Sequence, residues 1–525
     1  MVEEIKVKKH KSFLFLTCCL ILGLILNLFL LKHVPIGPDG YYRMILIKRL
    51  FSGKGYAGFM GTSPFHPLLM CIFYIFIGNL ETAGRAVSIT SFLISIILFF
   101  KLARLIYSDR VAYLASILFL THTLILRFSL QMHSHSTDIL LIIIAIYLAS
   151  LIIKNDKLEY GNFILLGIVL ACAILNRPEN IILSLGIIMT IFIQKRKQPP
   201  RKIVAFSYLI IVLVVLLFPY ANFLHKHTGK WALTMKIRNL QFYEYMSSSD
   251  PLARENQKQK MIKFPAFRPF EYIKNNKIEL LKRYRSGIRL SAIRLGSILY
   301  KRWGYILIVL GLFGGGWDRN RKKVEILLFS CLAPLLIIPL GNVQERYFLS
   351  TLPIFLLWIA KGLENLYIFI KDSFNLSDRE SNLAICLVLI LLISPMVKFL
   401  IKHDISPVSQ YKQTMAQYKQ MGLWMKNNIE DIGKKRVACT NEFCTIFYSG
   451  GIPVDTPFEE NYGNFIESLK SKRVDYLIIS GETIRRRPYL KFLLNDREKY
   501  QGLIKVHVIE GPKKVILYKS DYAHP

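Results

Sequence analysis

Long apolar runs broken by short polar stretches fill roughly the first 400 residues of this 525-residue chain. Runs of about twenty apolar residues match the hydrocarbon core of a bilayer, and a helix there satisfies its own backbone hydrogen bonds. The pattern predicts spans near 12–31, 82–106, 111–130, 136–153, 160–176, 179–194, 203–224, 303–317, 324–341, 346–369 and 382–402, about eleven in all. The piece from Pro64 to Leu80 is shorter and lies between prolines and a Gly-Asn pair. It reads as a re-entrant or interfacial helix, whose ends need cover from protein or water.

Beyond residue 405 the texture changes. Val474–Ser480, Leu503–Glu510 and Lys514–Lys519 read as strands, with branched and aromatic residues between breakers. Gln413–Asn428 and Asn464–Lys470 read as helices. The expected organisation is an all-α polytopic membrane domain over 1–404, with a long outer loop at 225–302, followed by a small α/β domain over 405–525. Within the loop, Lys274–Trp303 sets Ile278, Leu281, Ile288, Ile293, Leu295 and Leu299 among Lys282, Arg283, Arg285, Arg289 and Arg294. That is a basic amphipathic helix, suited to the membrane interface either as a lipid-contacting loop or as the border of an entry route for an anionic lipid.

Charge sets the orientation. With the N-terminus in the cytoplasm, the short loops Lys101–Arg110, Lys154–Lys157, Gln194–Lys202, Asp318–Lys323 and Lys371–Arg379 all fall inside, and all carry lysine or arginine. The C-terminal domain then lies outside a prokaryotic inner (cell) membrane. The N-terminal basic cluster and apolar run resemble a signal peptide, but the run is long and no small-residue cleavage site follows, so it is expected to stay as an anchor. The formal net charge of +34 points to anionic membrane lipid and phosphate-bearing substrates. Nucleic acid is not expected, because the basic stretches lack the interleaved aromatics that stack bases.

Of eight cysteines, Cys18, Cys19, Cys71, Cys172, Cys331 and Cys386 lie in apolar segments, where cysteine acts as a small hydrophobe. Cys439 and Cys444 lie in the C-terminal domain and are able to pair if that domain is outside. No zinc-type spacing occurs.

Charged groups at membrane level are costly and so point to function. In the expected topology they gather on the outer side. Asp39 sits in Gly37-Pro38-Asp39-Gly40-Tyr41-Tyr42, and His66 in Ser63-Pro64-Phe65-His66-Pro67. Arg127, His133, His135 and Asp138 mark the next outer turn, Arg177 and Glu179 another, and Gln344, Glu345 and Arg346 a later one. Plainer roles exist for each: Asp39 as a turn residue, Asp138 as a helix N-terminal charge, Arg177 and Glu179 as a local ion pair, Tyr41 and Tyr42 as interfacial aromatics. The set also suits sugar transfer from a lipid phosphate. A carboxylate would take the proton of an acceptor hydroxyl. Arginines or a divalent metal would neutralise the departing phosphate.

The chain resembles the GT-C superfamily of polytopic glycosyltransferases, close to the bacterial branch that looks like protein mannosyltransferases and lipid A aminoarabinose transferases. Four places carry the resemblance: Asp39-Gly40-Tyr41-Tyr42 with Ile45–Tyr56, Glu81-Thr82-Ala83-Gly84-Arg85, Asn176-Arg177-Pro178-Glu179, and Glu345-Arg346-Tyr347-Phe348 leading to Pro353. It implies a catalytic role for Asp39, a second outer-loop acid at Asp138 and a donor-phosphate contact at Arg346. Many relatives pair two acids in the first outer loop, whereas Gly40 follows Asp39 here. The expected substrate contacts are Tyr42, His66, Arg127, His135, Asp138, Arg177, Glu179, Glu345 and Arg346. The expected reaction is inverting transfer of a sugar from a polyprenyl-phosphate donor to an acceptor lipid, glycan or protein, with metal dependence open. The rival readings are a lipid-linked-sugar transporter or flippase, and a non-enzymatic membrane scaffold.

Overall fold

The computed structural model describes residues 2–56, 59–155, 159–195, 199–234, 277–340, 343–406, 409–440, 442–457, 459, 461–495 and 497–522. Most of the loop expected at 225–302 lies outside these residues. The chain forms two compact units. One takes the N-terminal helix and the described helices between 59 and 400; the other takes Leu31–Tyr56 with the residues from Ile401 onward.

The first unit is helical throughout. Seven of its helices are long and apolar enough to cross a membrane: His10–Leu31, Leu80–Ile106, His135–Lys154, Arg201–Thr228, Arg319–Leu340, Leu352–Phe374 and Asp378–Leu400. A pair bent by 89°, Leu280–Ile298 with Arg302–Phe313, would make eight among the described residues only if the two helices crossed together as one span. This is fewer than the eleven or so spans expected, for local reasons. The run 111–130 breaks at His122 into Asp109–Thr121 and Thr123–Phe128. Tyr160–Asn176 and Asn180–Gln194 are apolar but only 17 and 15 residues long. The segment expected from 346 keeps its crossing length as Leu352–Phe374, though it opens as a 3-10 turn, Glu345–Phe348. The segment after Pro64 forms the helix Phe65–Ile77, stopped by Gly78 in a left-handed conformation at φ 73°. Glycine carries that conformation without steric cost.

Apolar side chains point both ways, as a bilayer permits. Phe13, Ile21, Ile25 and Phe29 on the first helix are exposed, while Phe92, Phe99, Ile142, Ile146 and Trp358 are buried. Small residues set the closest approach. A Cβ on Gly311 would meet the Trp358 carbonyl oxygen at 2.1 Å, and one on Gly362 would meet that of Leu307 at 2.0 Å. Helices in lipid associate through such small-residue contacts. At one end of the bundle, the fully buried Glu325 accepts from Tyr107 Oη at 2.7 Å, Trp358 Nε1 at 2.8 Å and Arg321 Nε at 3.4 Å. A buried carboxylate needs such partners to offset its lost hydration.

The second unit is the α/β portion. Its strands are β1 Arg436–Cys439, β2 Ile452–Asp455, β3 Tyr476–Ile479, β4 Lys499–Tyr500, β5 Leu503–Ile509 and β6 Val515–Ser520. They form one sheet in the order β2-β1-β3-β6-β5-β4, parallel through β2, β1 and β3 and antiparallel beyond. The three strands read from the sequence are β3, β5 and β6. The others span two to four residues, too short for an alternating pattern to register. Ala438, Phe465, Leu469, Leu477, Ile479, Leu490, Leu493, Ile516 and Tyr518 build the core.

The same unit includes the helix Pro38–Phe51. Its Tyr41 ring meets Phe447 and Tyr448 at 5.8 and 5.9 Å, Tyr42 meets Phe443 at 4.9 Å, and Lys48 lies over Phe447 at 4.0 Å. Edge-on aromatic contacts and a cation over a ring both add to simple burial.

Candidate functional site

Within the helical unit, the polar residues of three separate turns and the short helix Phe65–Ile77 come together. Asp138 stands in the first turn of His135–Lys154 and is fully buried. Asn180, the first residue of the following apolar helix, donates to Asp138 Oδ1 at 2.6 Å. Asn176, the last residue of the helix before it, donates to the same oxygen at 3.4 Å and to the Ser134 carbonyl at 3.1 Å. Between them, Arg177-Pro178-Glu179 makes the turn, because proline lacks the N–H a continuing helix would need.

Arg177 is the hub. Its Nη1 donates to His135 Nδ1 at 2.6 Å, its Nη2 donates to Glu179 Oε1 at 3.2 Å, and its Nε lies 3.9 Å from Asp138 Oδ2. The guanidinium also sits 5.8 Å from the ring of Tyr347, which Arg346 approaches at 5.3 Å. Arg177, His135 and His133 are buried, whereas Glu179 is exposed. Phe128 wedges the histidines edge-on, at 5.2 Å from His133 and 4.7 Å from His135. His66, fully buried, bonds Thr137 Oγ1 through Nδ1 at 3.0 Å, and Ser91 lies 3.4 Å from the same hydroxyl.

The structure thus gathers His66, His135, Asp138, Arg177 and Glu179, with Arg346 adjoining through Tyr347. Glu345 takes another partner: Arg294 pairs with it at 3.4 Å and Ser297 donates to it at 3.3 Å. Arg127 is half-buried on the short helix Thr123–Phe128. Asp39 and Tyr42 belong to the second unit, with Asp39 exposed in the first turn of its helix and Arg43 donating to its carbonyl at 3.1 Å. Sequence reading overlooked Asn176, Asn180 and Thr137 as members. The signal was present in the asparagines that bracket Arg177-Pro178-Glu179.

Chemically, the cluster offers donors suited to an anion and an acceptor suited to a hydroxyl. A buried guanidinium suits phosphate oxygens. Asp138 has both asparagine donors on Oδ1, and Oδ2 carries no hydrogen bond among the described residues. Among those residues no three His, Cys, Asp or Glu side chains stand close enough to hold a metal. Cys439 and Cys444 are free thiols, both buried.

A family model described as dolichyl-phosphate-mannose-protein mannosyltransferase matches residues 62–221. That stretch holds His66, Arg127, His135, Asp138, Arg177 and Glu179. No curated protein matches the chain. Solved structures do. The oligosaccharyltransferase of Archaeoglobus fulgidus tethered to an acceptor peptide is 12% identical with a TM-score of 0.62, covering 90% of this chain and 69% of its own. The same organism's oligosaccharyltransferase AglB with an inhibitory peptide and dolichol-phosphate is 13% identical, with a TM-score of 0.50 and coverage of 90% and 69%. ArnT from Cupriavidus metallidurans bound to undecaprenyl phosphate is 12% identical with a TM-score of 0.58, and covers 97% of this chain and 98% of its own. This chain is a multi-pass membrane protein with the GT-C fold of the polytopic glycosyltransferases.

Proposed function

We propose that the chain transfers a sugar from a polyprenyl-phosphate-linked donor to an acceptor lipid, glycan or protein on the extracytoplasmic face of the inner (cell) membrane. The observation that carries this reading is the buried constellation of Arg177, His135, Asp138 and Asn180 in a fold whose solved neighbours hold undecaprenyl phosphate or dolichol-phosphate. A buried guanidinium carries five N–H donors, more than the carboxylates beside it engage, and is suited to a lipid phosphate. Here the nearer carboxylate lies at 3.2 Å on the exposed Glu179, and the buried one at 3.9 Å.

In the reaction, a carboxylate takes the proton of the acceptor hydroxyl, whose oxygen attacks the anomeric carbon. The bond from that carbon to the phosphate oxygen breaks, and the polyprenyl phosphate leaves with the electron pair. Asp39 is assigned the proton acceptance. Arg177 and Arg346 are assigned charge stabilisation of the phosphate, and Asp138 the orientation of a sugar hydroxyl through Oδ2. Tyr42, His66, Arg127, His135, Glu179 and Glu345 complete the proposed substrate contacts. The N-terminus is assigned to the cytoplasm and residues 405–525 to the outside, as a soluble domain following a membrane domain of 1–404.

The test uses purified protein in lipid with a panel of radiolabelled polyprenyl-phosphate sugars, comparing wild type with Asp39→Asn. Label reaching an acceptor extract, with release of polyprenyl phosphate, in the wild type alone supports both the reaction and the role of Asp39. Movement of labelled lipid across vesicles without any transfer would replace the reading by a transporter.

A further inference from the structure

The helix Lys277–Ile298 supplies none of the proposed substrate contacts itself, yet its surface is unusual. In sequence the helix carries six basic residues, Lys277, Lys282, Arg283, Arg285, Arg289 and Arg294, and one acidic residue. Interleaved with them, Ile278, Leu281, Ile288 and Ile293 are 73%, 69%, 49% and 60% exposed. Apolar side chains of this size at that exposure on a water-facing helix would be costly, because each would keep its apolar surface in water. Among the described residues, Lys282, Arg283, Arg285 and Arg289 make no ion pair.

The helix is not adrift. Its opposite face is pinned at Gly287, where a Cβ would meet the Pro339 carbonyl oxygen at 2.1 Å. Tyr305 Oη donates to the Ala292 carbonyl at 2.9 Å, and Arg294 pairs with Glu345. The next helix, Arg302–Phe313, turns away at 89°. That second helix packs backbone to backbone, through Gly311 and Gly362, on the membrane-crossing helix Leu352–Phe374. With Leu352–Phe374 taken as crossing the bilayer and Arg302–Phe313 packed along it, the 89° bend turns Lys277–Ile298 toward the plane of the bilayer. Lys301, Arg302 and the 66%-exposed Trp303 stand at the bend, residue types that anchor at the headgroup level.

We infer that Lys277–Ile298 is an interfacial helix that docks on the bilayer surface and selects anionic lipid, its isoleucines and leucine entering the acyl boundary while its lysines and arginines hold headgroup phosphates. Mixed basic and apolar residues on one face serve this because long cationic side chains reach outward from a buried stem. Each cation near an anionic surface adds about fivefold to the preference, and salt weakens it.

The experiment places the full-length protein in nanodiscs of pure phosphatidylcholine or of phosphatidylcholine with one-third phosphatidylglycerol. Amide hydrogen exchange is followed in peptides covering 277–298. The expected result is at least about tenfold greater protection in the anionic discs, diminished by high salt and lost in Lys282→Gln/Arg285→Gln/Arg289→Gln. The charge-keeping variant Lys282→Arg/Arg285→Lys/Arg289→Lys should retain it, which separates charge from folding. Equal protection in the two kinds of disc, or an unchanged preference in the glutamine variant, overturns the inference. Charge-dependent capture of a labelled oligonucleotide by protein in neutral discs, without any lipid preference, would also overturn it by assigning the helix to nucleic acid.

Discussion

Asn180 donates its side-chain amide to the Asp138 carboxylate at 2.6 Å across 42 positions of sequence. The same amide donates to the Ala173 carbonyl at 3.0 Å, so one asparagine both closes a helix-to-helix turn and holds a buried charge. Removing it leaves Asp138 with the 3.4 Å contact to Asn176 and the 3.9 Å pairing with Arg177. Asn180→Ala is therefore expected to cost about 1–3 kcal/mol, the penalty of an undersatisfied buried acceptor. Thermal unfolding in detergent reads the loss. Asn180→Asp, which sets a second carboxylate against the first, should be worse.

Asp39 is exposed, so its replacement should spare the fold. Asp39→Asn is expected to lower turnover by at least about 100-fold while stability falls by no more than about 1 kcal/mol, the scale of a first-turn carboxylate. Unfolding curves and single-turnover transfer, taken on the same preparation, separate the two effects. Wild-type turnover in this variant would remove Asp39 from the reaction.

Arg177 bonds His135 and Glu179 through separate guanidinium nitrogens, a fork that lysine cannot copy. Arg177→Lys is expected to weaken donor binding by about tenfold or more, a loss of one to two charge-assisted hydrogen bonds. Titration with polyprenyl phosphate alone, followed by its protection against heat, reports this without relying on turnover.

In the second unit, the buried Glu442 accepts from the Thr440 amide at 2.7 Å, from Thr483 Oγ1 at 3.1 Å and from Ser480 Oγ. It thereby ties the end of β1 to the end of β3. Glu442→Ala strands three donors at once and is expected to cost about 3 kcal/mol or more. Limited proteolysis should cut residues 401–525 of the variant faster than those of the wild type, while the membrane helices stay protected.

Cys439 is buried beside Glu442 and Asp455, and burial first, then those carboxylates, holds its thiol well above the ordinary value of 9.0. Above pH 9 the unfolded chain releases this proton while the folded chain keeps it. The associated stability is present below that pH and falls as pH rises beyond it. Alkylation of Cys439 in the folded protein should be slow at neutral pH, because thiolate is the reactive form. In a variant keeping only Cys439 and Cys444, a membrane-impermeant maleimide added to sealed cells under unfolding conditions should label from outside. Absence of labelling would reverse the proposed orientation.

The broad architecture was legible in the chain because hydrophobic periodicity and run length depend on local composition. A helix lies within every predicted span, and strands β3, β5 and β6 fall where branched and aromatic residues cluster. The number of full crossings was less legible. Hydropathy does not reveal that His122 interrupts a helix or that Tyr160–Asn176 and Asn180–Gln194 stop at 17 and 15 residues. Tyr41 and Tyr42 looked like interfacial aromatics after a span, and the structure sets their rings against Phe447, Tyr448 and Phe443. Partners some 400 residues away leave no trace in a local window.

By itself, then, the sequence determined that this is a multi-pass helical protein with a small α/β portion, and which polar residues stand at the ends of its helices. Only tertiary structure decided that His66, His135, Asp138 and Arg177 share one buried cluster, that Glu345 pairs with Arg294, and that the helix bearing Asp39 belongs with the C-terminal sheet. Secondary structure in lipid follows from the need of each segment to satisfy its own backbone, a local condition. Buried charges must instead find partners wherever the packing of helices brings them, and that condition is met only by the folded whole.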